Sequence, residues 1–413
     1  MALDFPTSPS VNDLYTDSGR TWRWNGTGWA MLPGAPVAID TTASDILSAT
    51  AGVITADDAA ADKLVFWDDS ASKLTYLTVG SNLTVTDTTI SGQNGITSMA
   101  NYWARAPWTT RSTSGIDRNF YGVTWSPQRN LFIAVGMANS FISSPDGITW
   151  TVRTTPTGVA TWSDICWSAE LGIFAAVAYN GNGQQVMTSP DGITWSIRTT
   201  SGGERRFYGI AWAPQISLFA IVAFDDLGAG NRVMTSPDGI TWTNRSASAA
   251  NAWNKVCWAY ELGLFIAVAG SGTGNRVMTS PDGINWTSRT SAANNDWQGI
   301  CWAAELGLLV AVAVSGTGNR VMTSPDGINW TSRTNPVDNT WQSVCWSREM
   351  GILVACSGNG SNNRIMTSPD GINWTIQTNI LQNDWRSICW SPQRSMLVAV
   401  SSTGSGNRVI TSP

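Results

Sequence analysis

The heptapeptide SPDGITW at residues 144–150 returns at Ser189, Ser236, Ser280, Ser324 and Ser368, with Asn in place of Thr in the last three copies, and Ser412-Pro413 begins a seventh. Successive box serines lie 44 to 47 residues apart. A fixed period of that size marks a repeat architecture, in which each unit cannot bury its apolar face alone. Ser, Pro, Asp and Gly at successive positions suit a type I β-turn, with Asp placed to accept from nearby backbone amides and Gly free to take the left-handed conformation. SPDG therefore joins two antiparallel strands. RVMTSP before it and INWTSRT after it are β-rich, and WQGICWA (residues 297–303) and the apolar GLLVAVA (307–313) supply two more strands. Four short strands per unit is the pattern of a propeller blade.

The truncated copy at Ser412 lacks its last strand, and APWTTRST at residues 106–113 has a Trp108 that aligns with the box Trp150 but no box before it. Joining the two fragments completes a ring. The expectation is an all-β chain: a seven-bladed β-propeller closed by an N-terminal strand and preceded by a small β-rich attachment module and stem. Its domains are residues 1–34, 35–100 and 101–413. Two tryptophan series, after the box and in each first strand, read as core. A third series of aromatics enters each blade: Phe120, Trp162, Phe207, Trp253, Trp297, Trp341 and Trp385. These rings either pack blade against blade or offer stacking platforms for sugars.

Composition excludes several classes. With 24 basic against 29 acidic residues and a net charge of −5, a nucleic-acid partner bound through its phosphates is not expected. No run approaches the roughly 18 apolar residues of a membrane helix, and residues 1–10 have no signal-peptide pattern, so no membrane insertion is expected. Five of the six cysteines precede a Trp in equivalent repeat positions, which suits small buried hydrophobes better than disulfides. There is no histidine and no CxxC, so neither a metal nor another cofactor is expected. Four of the five glutamates (Glu170, Glu261, Glu305 and Glu349) occupy one repeated xELG turn, and with no histidine and no repeat-breaking Tyr/Glu pair the chain is not expected to be an enzyme.

The box resembles the Asp-box of sialidase-like propellers, Ser/Thr-x-Asp-x-Gly-x-Thr-Trp, although here Gly follows Asp at once. That resemblance implies a structural turn on the face away from a binding site. Residues 5–32, FPTSPSVNDLYTDSGRTWRWNGTGWAML, resemble the N-terminal module of bacteriophage tail-fibre-like proteins, cyanophages especially, and residues 61–91 resemble their stem segments. The resemblance implies a homotrimer on a virion tail, attached to other tail or baseplate proteins and binding a host-surface glycan or protein. Purely structural tail service and glycan processing are its alternatives. Where the repeats diverge, on the face opposite the boxes, the third blade carries Glu204, Arg205, Arg206, Tyr208, Asp225 and Asp226, and the first adds Asp117, Arg118 and Tyr121. Charged groups beside aromatics are the candidate ligand-binding residues, with a local Arg–Asp salt bridge as their alternative role.

Overall fold

In the computed structural model, residues 108–413 are described except 114–117, 157–159, 182, 201–204, 226–230, 379 and 413, together with the backbone of seven strands nearer the N-terminus. The chain divides into two units, Met1–Thr97 and Ser98–Pro413. In the first, Leu14–Asp17, Arg20–Trp24 and Trp29–Met31 form a three-stranded antiparallel sheet, and Lys63–Asp68 with Lys73–Thr78 and Leu83–Thr86 with Thr89–Gly92 form two-stranded ones. The division expected at residues 34 and 35 falls outside the described residues.

The second unit is a ring of seven four-stranded antiparallel sheets. Blade 5 shows the plan: Trp297–Ala303, Leu308–Ala313, Val321–Ser324 and Thr331–Arg333, each paired with the next. First strands of successive blades touch around a closed circle and surround the axis. Second strands are sandwiched between neighbouring blades, so Leu309, Val310, Ala311, Val312 and Ala313 are all fully buried, the reason GLLVAVA is apolar without alternation. The ring closes as the repeat arithmetic requires. In blade 7, Trp385–Ser391, Met396–Ser401 and Val409–Ser412 accept Thr109–Arg111 as outer strand, with Val409 opposite Arg111 and Thr411 opposite Thr109.

The box works through its side chains. Asp326 Oδ1 accepts the amides of Ile328 and Asn329, each at 2.8 Å, and the Ser324 hydroxyl at 3.0 Å. Gly327 sits at φ +74°, where other residues are strained, and its carbonyl accepts the Trp330 indole N–H at 3.1 Å.

First-strand tryptophans fasten blade to blade. Trp212 Nε1 donates to Glu170 of the preceding blade at 2.5 Å, Trp346 to Glu305 at 2.6 Å, Trp390 to Glu349 at 2.5 Å, and Trp302 to Glu261. Where the turn has no glutamate, glutamine substitutes: Trp125 donates to Gln393 and Trp167 to Gln128, both at 2.7 Å, and Trp258 to Gln215 at 2.5 Å. The repeated glutamates thus take part in a ring of seven inter-blade hydrogen bonds. The six cysteines are free thiols. Burial pushes the thiols of Cys257 and Cys356 up to about 12, so they behave as small apolar groups at neutral pH.

Candidate ligand-binding site

Each first strand begins with the entry aromatic, or in blade 3 with Arg206 just before it, bulges against the second strand, and then turns its next residues toward the axis. The residue after the entry aromatic differs in nearly every blade: Tyr121, Ser163, Tyr208, Asn254, Gln298, Gln342 and Arg386 in order. All seven line one cavity of about 390 Å³, open at the end where the first strands begin, away from the boxes. That volume falls within the range of small-ligand sites.

The wall is two-sided. All three tyrosines, Tyr121, Tyr179 and Tyr208, come from blades 1 to 3, beside Thr161, Ser163 and Asn180, while both cations, Lys255 and Arg386, come from blades 4 to 7 with further amides and hydroxyls. Tyr208 lies edge-on to Tyr179 at 5.4 Å and stacks on Phe224 at 5.2 Å. Burial, then the neighbouring Tyr179, push the Tyr208 phenol up to about 12, so it stays protonated and can donate at any physiological pH. Lys255 reaches across blade 3 to Asp164 of blade 2, Nζ to Oδ1 at 2.6 Å, and the other Asp164 oxygen accepts the Ile210 amide at 3.0 Å. Gly209 lets the strand that carries Lys255 pack close, since a Cβ there would meet Lys255 Cα at 2.9 Å and Val256 N at 3.0 Å.

On the far side, Asn254 Nδ2 and Gln298 Nε2 both donate to Asp296 Oδ1, at 3.0 and 2.8 Å. Burial raises the Asp296 carboxyl, against the pull of these two bonds and of Arg276. Neither Tyr121 nor Gln342 makes a side-chain hydrogen bond to the described residues.

The candidates named from the sequence divide sharply. Tyr121 and Tyr208 line the cavity. Arg206 and Asp225 form the local salt bridge at 3.4 Å, with the Arg206 guanidinium 5.0 Å above the Tyr179 ring. Arg205 is 1% exposed, and its Nη1 donates to Asn244 at 2.5 Å, so it steadies the interior of blade 3 rather than meeting a ligand. Arg118 is exposed and donates to the Ala138 carbonyl at 2.7 Å. Glu204, Asp226 and Asp117 lie outside the described residues.

The stacking-platform role is corrected for the entire entry series. Phe120, Trp162, Phe207, Trp253, Trp297, Trp341 and Trp385 are at most 1% exposed, packed in the cores between blades. Several also spend their indole N–H on the backbone four residues earlier, as Trp297 does on Ala293 at 3.2 Å and Trp385 on Leu381 at 3.0 Å. Spacing could not separate the two roles, because the bulge turns the following residue, not the aromatic itself, toward the axis. The missed residues Asn254, Gln298, Gln342 and Arg386 had a visible sign, a variable column directly after the constant entry aromatic, and Lys255 stands in the equally variable column that follows.

No protein-family model matches the chain, and no curated protein sequence matches it. Similarity to solved structures is extensive. A virginiamycin B lyase from Staphylococcus aureus superposes with a TM-score of 0.62 at 14% identity, over 74% of this chain and 98% of the lyase. A streptogramin B lyase gives 0.63 at 12% identity over 75% and 97%, and YCF48 bound to a D1 peptide gives 0.54 at 13% over 74% and 94%. At such identities the likeness establishes the class, a seven-bladed β-propeller.

Proposed function

We propose that this chain is a receptor-binding tail-fibre protein of a bacteriophage, attached to the virion through residues 1–34, trimerised by a stem at 35–100, and recognising a host-surface glycan in the axial cavity of its propeller. The observation that carries the recognition reading is the variable column. In units of one repeated plan, seven equivalent positions carry two tyrosines and five polar side chains of four kinds, and all converge on one cavity. Scaffold positions have no need of such variety. Aromatic rings on one side and amides on the other suit a sugar, whose apolar face stacks while its hydroxyls exchange hydrogen bonds. The fibre reading rests on the resemblance of residues 5–32 and 61–91.

Binding is favoured over catalysis by the chemistry at hand. A variant of the staphylococcal lyase in which alanine replaces a histidine is described as catalytically inactive, and this chain contains no histidine. The repeated glutamates are engaged by indoles on the opposite face.

The test uses fluorescently labelled full-length protein on intact bacteria of candidate host strains. Replacing Tyr121 and Gln342 together with Ala, which breaks no described side-chain hydrogen bond, is expected to weaken cell binding at least about tenfold, the loss of roughly two ligand contacts. The melting temperature should barely move. Undiminished binding by the double variant would take the site off the cavity.

A further inference from the structure

We infer that the ligand of the axial cavity is an acidic saccharide, one whose carboxylate is held at the Arg386 side while its ring lies toward the tyrosines of blades 1 to 3. This rests on the glycan reading above and adds the charge of the ligand to it.

The ionic inventory around the cavity is unbalanced. Among the described residues, Lys255 and Arg386 line it and no carboxylate does. The nearby carboxylates among the described residues are already committed, and Asp225 pairs with Arg206 at 3.4 Å. Asp164, with its side chain 4% exposed, takes Lys255 on one oxygen and the Ile210 amide on the other. Asp296 accepts from Asn254 and Gln298 and faces Arg276. Asp384 is divided between two guanidiniums, Oδ1 to Arg364 Nη1 at 3.2 Å and Oδ2 to Arg386 Nη2 at 3.7 Å. Among the described residues, five cations, Arg206 included, therefore share four carboxylates, in a chain whose overall charge is −5. Arg386 is the group left short: its Nε is fixed by Ser402 at 2.9 Å, its one ionic contact is the longest of the set, and its side chain remains 33% exposed.

A neutral sugar presents hydroxyls that need acceptors as well as donors, and carboxylates are the strongest acceptors a protein offers. This cavity's amides, hydroxyls and phenols both donate and accept, several of its amide N–H groups already being held by Asp296, and to them it adds two cationic groups, of which the Arg386 guanidinium is the less fully engaged. Its chemistry complements a ligand rich in acceptors, and a planar carboxylate matches the guanidinium fork in particular. Partial burial reduces solvent screening, which strengthens the pairing.

The experiment is titration calorimetry of the full-length protein with galacturonic and glucuronic acid disaccharides against their galactose and glucose counterparts. The acidic sugars are expected to bind roughly tenfold to hundredfold more tightly, the difference a charged hydrogen-bond pair makes. Arg386→Gln should erase that preference while leaving the neutral sugars' affinity unchanged. Arg129→Gln, the same charge change on the exposed box face, should leave the preference intact. Raising sodium chloride from about 0.05 to 0.5 M should weaken acidic binding alone, a readout independent of any variant's folding. Equal binding of acidic and neutral sugars, insensitive to salt, would overturn the inference and leave the glycan reading standing. Binding of neither class would overturn both.

Discussion

Asp326 and its five counterparts show how far a single carboxylate can shape a turn. Burial pushes these carboxyls up, yet two backbone amides and side-chain donors aimed at the same group outweigh it, and Asp282 and Asp326 are held down at about 2 against an ordinary 3.8. The direction matters for stability. A carboxylate whose folded-state pKa is depressed stabilises the fold above its unfolded value, and that contribution is lost as pH falls from about 4 toward 2, because the unfolded chain takes up the proton first. Asp326→Asn should therefore melt at a lower temperature than the wild type at pH 7, and the gap should close as pH approaches about 2; a gap independent of pH would contradict the account. The turn is legible in the sequence because each of its residues has one local task, from the Ser324 hydroxyl to the left-handed Gly327. Arg205 is the opposite case. An arginine beside aromatics in a long loop reads as a ligand contact, but its partner Asn244 lies 39 residues away, and no local pattern announces that pairing.

At the scale of strands, crowding near the axis decides sequence. The second residue after the entry aromatic runs Gly122, Asp164, Gly209, Lys255, Gly299, Ser343 and Ser387, so through the first six blades a glycine alternates with a residue bearing a side chain. Each glycine lies where a neighbouring backbone comes close: a Cβ on Gly122 would sit 3.0 Å from Asp164 Cα, and one on Gly299 would sit 2.9 Å from Ser343 Cα. At Gly209 the close backbone is that of Lys255 itself, whose side chain pairs with Asp164. Gly209→Ala should cost about 1–3 kcal/mol by overpacking against backbone that cannot yield. It should also loosen the ion pair, so a crystal structure or melting curve of the variant indistinguishable from wild type would refute the assignment. Strand number and order were readable from period and pattern because those depend on each unit's own residues. The orientation of the entry aromatics was not, since it depends on a bulge one residue long that only the pairing of first and second strands reveals.

For the whole molecule, the outer strand of blade 7 is the element on which closure depends. Thr109–Arg111 pairs with Val409–Ser412 almost 300 residues later in the chain, Arg111 Nε donates to the Thr411 hydroxyl at 2.8 Å, and the Thr113 amide donates to the Gly406 carbonyl at 3.0 Å. Without that strand, the edge of Val409–Ser412 would present unpaired backbone groups beside an apolar sheet, which invites pairing with another chain. In the other six blades the outer strand follows its own box, so only blade 7 joins the two ends of the ring. A protein beginning at Gly115 should therefore aggregate, or melt at least about 5 °C below one beginning at Asn101, since a loss of a few kcal/mol moves a domain of this size by that much or more. The protein beginning at Asn101 should remain soluble, because the strand it keeps still completes the ring. Light scattering and melting curves of the two, recorded at the same protein concentration, separate the outcomes. If the shorter protein is as monodisperse and as heat-resistant as the longer, the strand is dispensable and the ring is held by the axial contacts of Trp385–Ser391 with Phe120–Ser126 alone.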